Sequence, residues 1–80
     1  MRIFLAGATG AIGRRLVPLL VADGHAVTGT TRSRDKVALV EALGAKPAIV
    51  DAFDRAAVID AVGDARPDVV IHQLTDLPQA

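Results

Sequence analysis

Gly7, Gly10 and Gly13 stand three residues apart in the stretch GATGAIG, directly after the apolar run RIFLA and directly before a helical pattern. Glycine is costly inside regular structure, so this spacing needs a reason. A strand that turns sharply into a helix and holds phosphates at the helix start supplies one. The first glycine permits the tight turn, the second lets a pyrophosphate approach the backbone, and the third lets the helix pack closely on the sheet. A helix beginning near Ala11 then directs its unpaired N–H groups and the positive end of its dipole at the phosphates. The competing explanation is a tight turn with close packing and no ligand. The position of the triplet inside a strand–turn–helix–strand unit favours the nucleotide.

A second constellation lies in TTRSRD. A carboxylate at the end of the second strand of such a unit accepts hydrogen bonds from a ribose 2′-OH and repels a 2′-phosphate. Thr31 holds that position and Arg32 follows it. With no acid to repel the phosphate, the Arg32 guanidinium is free to pair with it, potentially in a bidentate contact. Thr31 and Ser33 offer hydroxyls and Arg34 a second cation. The same residues would be unremarkable on a solvated loop, but the missing acid and the added guanidinium both favour NADP over NAD.

The elements that must position these groups are legible in the pattern. Arg2 to Ala6 is a short apolar strand, and from Ala11 the residues Ile12, Leu16, Leu19 and Leu20 recur at the spacing of one helix face. Pro18 conflicts with that helix, because an interior proline removes a hydrogen bond and costs roughly 3 kcal/mol unless the helix bends, so a kink is expected near Arg14 to Pro18. Gly24 supplies the stop and His25 to Thr31 reads as a second strand. Ser33 is a candidate N-cap for a second helix carrying Val37, Val40 and Leu43, closed by Gly44. Ala48 to Asp51 reads as a third strand. Asp54 caps a third helix carrying Val58, Ile59 and Val62, closed by Gly63 ahead of Pro67 and the fourth strand, DVVIHQL.

The expectation is therefore an α/β protein with a Rossmann-type doubly wound parallel sheet, a β-α-β-α-β-α-β half with strand order 3-2-1-4. Composition agrees. Apolar residues make up 51% of the 80 and aromatics only 2%, so a core must be built from Ala, Val, Ile and Leu, as suits a parallel sheet covered by helices. Nine basic residues balance nine acidic ones, which argues against nucleic acid or an anionic membrane as partner. With no cysteine, and with His25 and His72 far apart, no metal motif is expected. The IFLA between Arg2 and Gly7 is too short for a signal peptide and no run is long enough to span a membrane, so the reading is a cytoplasmic protein.

GATGAIG, together with GHAV, IVDAFD and DVVIHQL, resembles the extended and atypical short-chain dehydrogenase/reductases, the NAD(P)-dependent epimerases/dehydratases. The resemblance covers nearly the whole chain. It implies that Ala8, Thr9, Ala11 and Ile12 line the pyrophosphate loop, with Ile12 also packing beneath it. Asp51 and Ala52 match the position that contacts the adenine, and Gln73 and Leu74 match residues bordering the nicotinamide-side ribose. For Asp51 the alternative is a strand-end carboxylate that only caps a turn. His72 reads as a strand residue packed against a helix, not a catalytic base.

In that family a Tyr-x-x-x-Lys pair supports hydride transfer, and this chain has no tyrosine. No catalytic residue is therefore assigned. Residues 1–80 are read as the N-terminal part of a NAD(P)-binding domain, with the catalytic and substrate-binding part elsewhere, and the 80 residues alone as inactive. The expected function is to bind NADP(H) for an epimerase, dehydratase or oxidoreductase acting on a hydroxyl or carbonyl substrate. A non-catalytic NADP-binding redox sensor is the main alternative, and a semialdehyde-dehydrogenase-type cofactor domain, whose opening turn looks like this one, a further one. With order 3-2-1-4 the fourth strand forms an apolar edge, through which self-association is expected.

Overall fold

The computed structural model describes residues 1–51 and 53–72. Four parallel strands, β1 (Arg2–Ala6), β2 (Ala26–Thr31), β3 (Lys46–Ile49) and β4 (Val69–His72), form one sheet in the order β3-β2-β1-β4. Helices α1 (Ala11–Ala22), α2 (Val37–Ala42) and α3 (Arg55–Ala65) join them in turn. This is the half-Rossmann arrangement that the alternation of apolar patterns implied. Moving from β1 out to β3 and then back across to β4 reverses the direction of travel. Right-handed crossovers then put α1 and α2 on one face and α3 on the other.

Register fixes which side chains share a face. Ile3 pairs with Val27 and Val69, and Leu5 with Gly29 and Ile71. Ile3, Leu5 and Val27 form the core with Ala8, Val17 of α1, Val40 of α2 and Ala45, flanked by Leu16, Leu20, Val21, Leu43 and Ile71. Phe4, one residue out of phase, is also fully buried and by strand alternation lies on the opposite face, where α3 approaches β1. The β4 strand is anchored at its start by a reciprocal pair. The Arg2 N–H donates to Asp68 Oδ2 at 2.9 Å and the Asp68 N–H to the Arg2 carbonyl at 2.8 Å.

Several elements differ from the sequence reading. The buried face of α1 is Gly13 and Val17 with Leu16, Leu20 and Val21 beside them, whereas Ile12 and Leu19 are exposed. The face is thus rotated toward the glycine that allows close approach to the sheet. The helix runs uninterrupted through Pro18, which lies on the exposed side. The missing proline N–H takes one helical bond away from the Arg14 carbonyl. Gly24 and Gly44 both take left-handed backbone, as helix stops require. Between β2 and α2 the chain makes a 3-10 turn, Arg34–Lys36, whose first N–H groups are capped by Ser33 Oγ accepting from Asp35 at 3.3 Å. The second helix is correspondingly shorter than its apolar spacing suggested.

β3 begins earlier than expected and includes Pro47, which a strand tolerates because β3 is an edge of the sheet. Asp51 therefore lies beyond the strand. Asp54 caps α3 as expected, its Oδ1 accepting from the Ala57 N–H at 3.2 Å. Gly63, however, is inside α3, and the left-handed cap falls on Arg66. A Cβ on Gly63 would meet nothing within 4 Å. Gly63→Ala should therefore stabilise the chain by about 0.5–1 kcal/mol, read as a higher midpoint in urea with unchanged slope.

Candidate functional site

In a parallel sheet all the strand C-termini lie at one end, and the loops that follow them meet there. Backbone bonds draw three of these loops together. Gly7, immediately after β1, has φ +86°, a left-handed conformation that only glycine adopts without strain, and this turns the chain out of the strand. Its N–H donates to Thr30 Oγ1 at 2.8 Å and the next N–H, of Ala8, to the Thr30 carbonyl at 2.9 Å. On the other side of β2 the Val50 N–H donates to the Thr31 carbonyl at 3.0 Å. Gly7, Arg32 and Asp51 thus each lie within two residues of a β2-centred hydrogen bond at the same end of the sheet.

The three glycines of the loop do different work. A Cβ on Gly13 would stand 2.6 Å from the Gly7 carbonyl oxygen and 2.7 Å from that of Ala8, so this position is fixed by packing of helix against turn. A Cβ on Gly10 would meet only the Gly7 oxygen, at 3.4 Å, which the chain itself could accommodate. Its bareness instead leaves open space over the loop. Gly10 is also the N-cap of α1 and offers no side-chain cap, while the first helical bond runs from the Arg14 N–H to the Gly10 carbonyl at 3.0 Å. The Ala11, Ile12 and Gly13 N–H groups have no partner among the described residues, and no acidic residue occupies the first turn. An uncapped helix start with orphan donors and a bare glycine before it suits an anionic group such as a pyrophosphate. Ile12 is 45% exposed and takes no part in the buried core. Its backbone N–H remains in the donor set.

At the end of β2, Thr31 is buried, and its Oγ1 accepts from the Ser33 N–H at 3.2 Å, so its hydroxyl shapes the turn. Arg32 is exposed and makes no ion pair among the described residues. At the end of β3, Asp51 Oδ1 accepts from the Phe53 N–H at 2.9 Å and its carbonyl from the Asp54 N–H, also at 2.9 Å. The turn-capping role is therefore present, and Oδ2 has no partner among the described residues. His72 is exposed at the end of β4. Ala52, Gln73 and Leu74 lie outside the described residues. No group of three His, Asp or Glu residues that could hold a metal, and no helix long and apolar enough to cross a membrane, is present among the described residues.

Sequence reasoning missed two contributors. Gly29 lies under Ala8: a Cβ there would come within 2.6 Å of the Ala8 methyl, so a bare β2 position lets the loop seat on the sheet. Thr30, 1% exposed, pins Gly7 through its hydroxyl. A glycine inside the strand AVTGTT was the available signal for Gly29, while nothing local set Thr30 apart from Thr28 and Thr31. Thr30→Val keeps the shape but leaves the Gly7 N–H without its acceptor, and should cost about 1–3 kcal/mol in chemical denaturation, while Thr30→Ser should recover most of it. Charge segregation was also overlooked behind the neutral total. Residues 1–36 carry Arg2, Arg14, Arg15, Arg32, Arg34 and Lys36 against only Asp23 and Asp35, and the excess of acid falls in the remainder.

Comparison with known proteins agrees with the fold. The chain is 46% identical over 77 residues to a 3-diazoavenalumate denitrifying reductase of a Streptomyces species, covering 96% of this chain and 24% of that protein. It is 38% identical over 72 residues to a 4-hydroxy-2-methyl-3-oxo-4-farnesyl-3,4-dihydroquinoline-1-oxide ketoreductase of Stigmatella aurantiaca, covering 90% of this chain and 21% of that one. Among solved structures, yeast methylglyoxal/isovaleraldehyde reductase complexed with NADPH superposes with a TM-score of 0.77 at 30% identity, over 90% of this chain and 26% of its own. The chain thus spans about a quarter of the length of these relatives. A family model matches residues 3–78, nearly the whole sequence, and with the parallel sheet and the glycine turn at its C-terminal end the chain belongs to the NAD dependent epimerase/dehydratase family.

Proposed function

We infer that this chain binds NADP(H) and forms the cofactor-binding N-terminal part of an enzyme that reduces, epimerises or dehydrates a hydroxyl or carbonyl substrate, the catalytic and substrate-binding groups lying outside these residues. The observation that carries the reading is the uncapped start of α1, whose Ala11, Ile12 and Gly13 N–H groups have no partner among the described residues, set beside the Gly7 turn that Thr30 holds. The reductases to which the chain is similar support the same reaction class.

In this reading Gly7, Thr9, Gly10, Ala11, Ile12 and Gly13 cradle the pyrophosphate, chiefly through backbone donors. Arg32 meets the 2′-phosphate, with Thr31 shaping its loop, while Asp51 and Ala52 receive the adenine. Gln73 and Leu74 border the nicotinamide-side ribose. The nicotinamide, when bound, supplies or accepts the hydride, and the residues of this chain bind and orient the dinucleotide. The preference for NADP rests on Arg32, exposed and without an ion pair among the described residues, and on the absence of an acid at the end of β2. With no tyrosine in the chain, the 80 residues bind without turning substrate over.

Calorimetric titration with NADPH and with NADH, on a chain shown by circular dichroism to be folded, tests the reading. Binding of NADPH tighter by ~10-fold, about 1.4 kcal/mol, is the expected result. Equal affinities would reduce Arg32 to a solvated residue, and absence of binding to either would overturn the cofactor role. Self-association through β4 is part of the proposal: β4 is an edge of the sheet, and Val69 and Val70 are 37% and 47% exposed. A strict monomer by light scattering would argue against it.

A further inference from the structure

We propose that a second ligand site lies at the end of the sheet opposite the glycine loop, a cleft with a positive and a negative side that takes a neutral α-amino acid. The cleft, of about 260 Å³, opens between the starts of β1, β2 and β3 and the last turn of α3. Its polar lining is Arg2, Thr28, Lys46 and Asp64. Pockets for drug-sized ligands run to about 300–1,000 Å³, so this one suits a smaller molecule.

Register explains why these groups meet. Phe4 and Lys46 both pair with Thr28, and Arg2 stands two residues before Phe4, so strand alternation puts Arg2, Thr28 and Lys46 on one face, the face that α3 approaches. Arg2 and Lys46 belong to the two strands that flank β2, with Thr28 between them. Asp64 comes from the other wall, in the last turn of α3, where the helix dipole is negative. Opposite charges therefore line one cleft, yet Arg2, Lys46 and Asp64 form no ion pair among the described residues. The neighbouring Asp68 carboxylate is engaged by the Arg2 backbone N–H at 2.9 Å, not by the guanidinium. A lone anion would be attracted by Arg2 and Lys46 but repelled by Asp64 and the end of α3, and a lone cation would meet the reverse. A molecule that carries both charges satisfies both walls. Its carboxylate accepts from the Arg2 guanidinium, the Lys46 ammonium and the Thr28 hydroxyl, while its ammonium donates to Asp64. Ala65 and Pro67 complete the helix side of the lining with apolar surface, which fits an aliphatic side chain better than a third charge.

The probe is L-leucine, compared with 4-methylpentanoate and 3-methylbutylamine, which keep its side chain and only one of its two charges. In an amide-resolved magnetic resonance titration of the complete chain, L-leucine should saturate in the millimolar range and shift the Arg2, Thr28, Lys46 and Asp64 resonances. Each one-charge analogue should bind at least 10-fold more weakly, a difference of about 1.4 kcal/mol. Asp64→Asn and Lys46→Gln should each weaken L-leucine by about 10-fold. Both residues are exposed and lie away from the glycine loop, so folding and NADPH affinity should not change. Equal binding of either analogue, unchanged affinity in the two variants, shifts confined to another surface, or no saturable binding by the folded chain would each overturn the proposal. None of these results would touch the dinucleotide reading, which concerns the other end of the sheet.

Discussion

Gly13→Ala is expected to lower the stability of the chain by about 3 kcal/mol and to abolish measurable dinucleotide binding. The added methyl group would lie 2.6–2.8 Å from the carbonyl groups of Gly7 and Ala8, and both are backbone, so neither can swing aside as a flexible side chain would. Relief requires α1 to lift from the loop or the loop to leave its Thr30 anchor. Overpacking in a tight interior costs about 1–3 kcal/mol, and a clash of backbone with backbone belongs at the upper end. For 80 residues the whole stability is on the order of 4–12 kcal/mol, so the loss is a large share of it and should lower Tm by roughly 10 °C or more. Gly10→Ala is the informative contrast. Its methyl group fits at 3.4 Å, so stability should hold while affinity falls, because the space it fills is the space a phosphate needs. Equal stability of Gly13→Ala and wild type would mean that the third glycine has no packing role.

Arg32→Glu is expected to weaken NADPH by about 10- to 100-fold, since a charge-assisted hydrogen bond contributes about 1.5–3 kcal/mol and the new carboxylate adds repulsion. NADH, which lacks the 2′-phosphate, should bind as well or better, because a carboxylate at this end of β2 accepts from a ribose 2′-OH. Folding should be unaffected to within about 0.5 kcal/mol, as Arg32 is exposed and makes no ion pair among the described residues. The competing titrations separate the contributions: parallel losses for both cofactors would point to a damaged loop, and no loss for NADPH would remove Arg32 from the site.

Much of this was readable before any coordinates because the constraints were local. Strand, glycine turn and helix are each marked by residue type over a few positions, and the alternation of apolar runs with helical spacing dictates a parallel sheet whose connections allow few topologies. The unread parts depend on tertiary neighbours. Ile12 and Leu19 have the spacing of a buried face, yet the close seat of Gly13 on the loop rotates α1 toward Val17 and Val21. Pro47 looks like a strand breaker until β3 is known to be an edge, where one missing donor costs little. Gly63 looks like a stop because glycine usually ends helices, but α3 continues to Ala65 and Arg66 takes the left-handed turn. Thr30 and Gly29 gain meaning only once the β1 loop lies across β2, a contact 23 residues apart in the chain.

The central claim is that the start of α1 holds the pyrophosphate, and amide-resolved nuclear magnetic resonance tests it most directly. Titration of the isotope-labelled chain with NADPH should shift the Gly10, Ala11, Ile12 and Gly13 resonances most, saturating together with those of Arg32. Saturable binding that leaves these four amides unmoved and perturbs another surface would contradict the account.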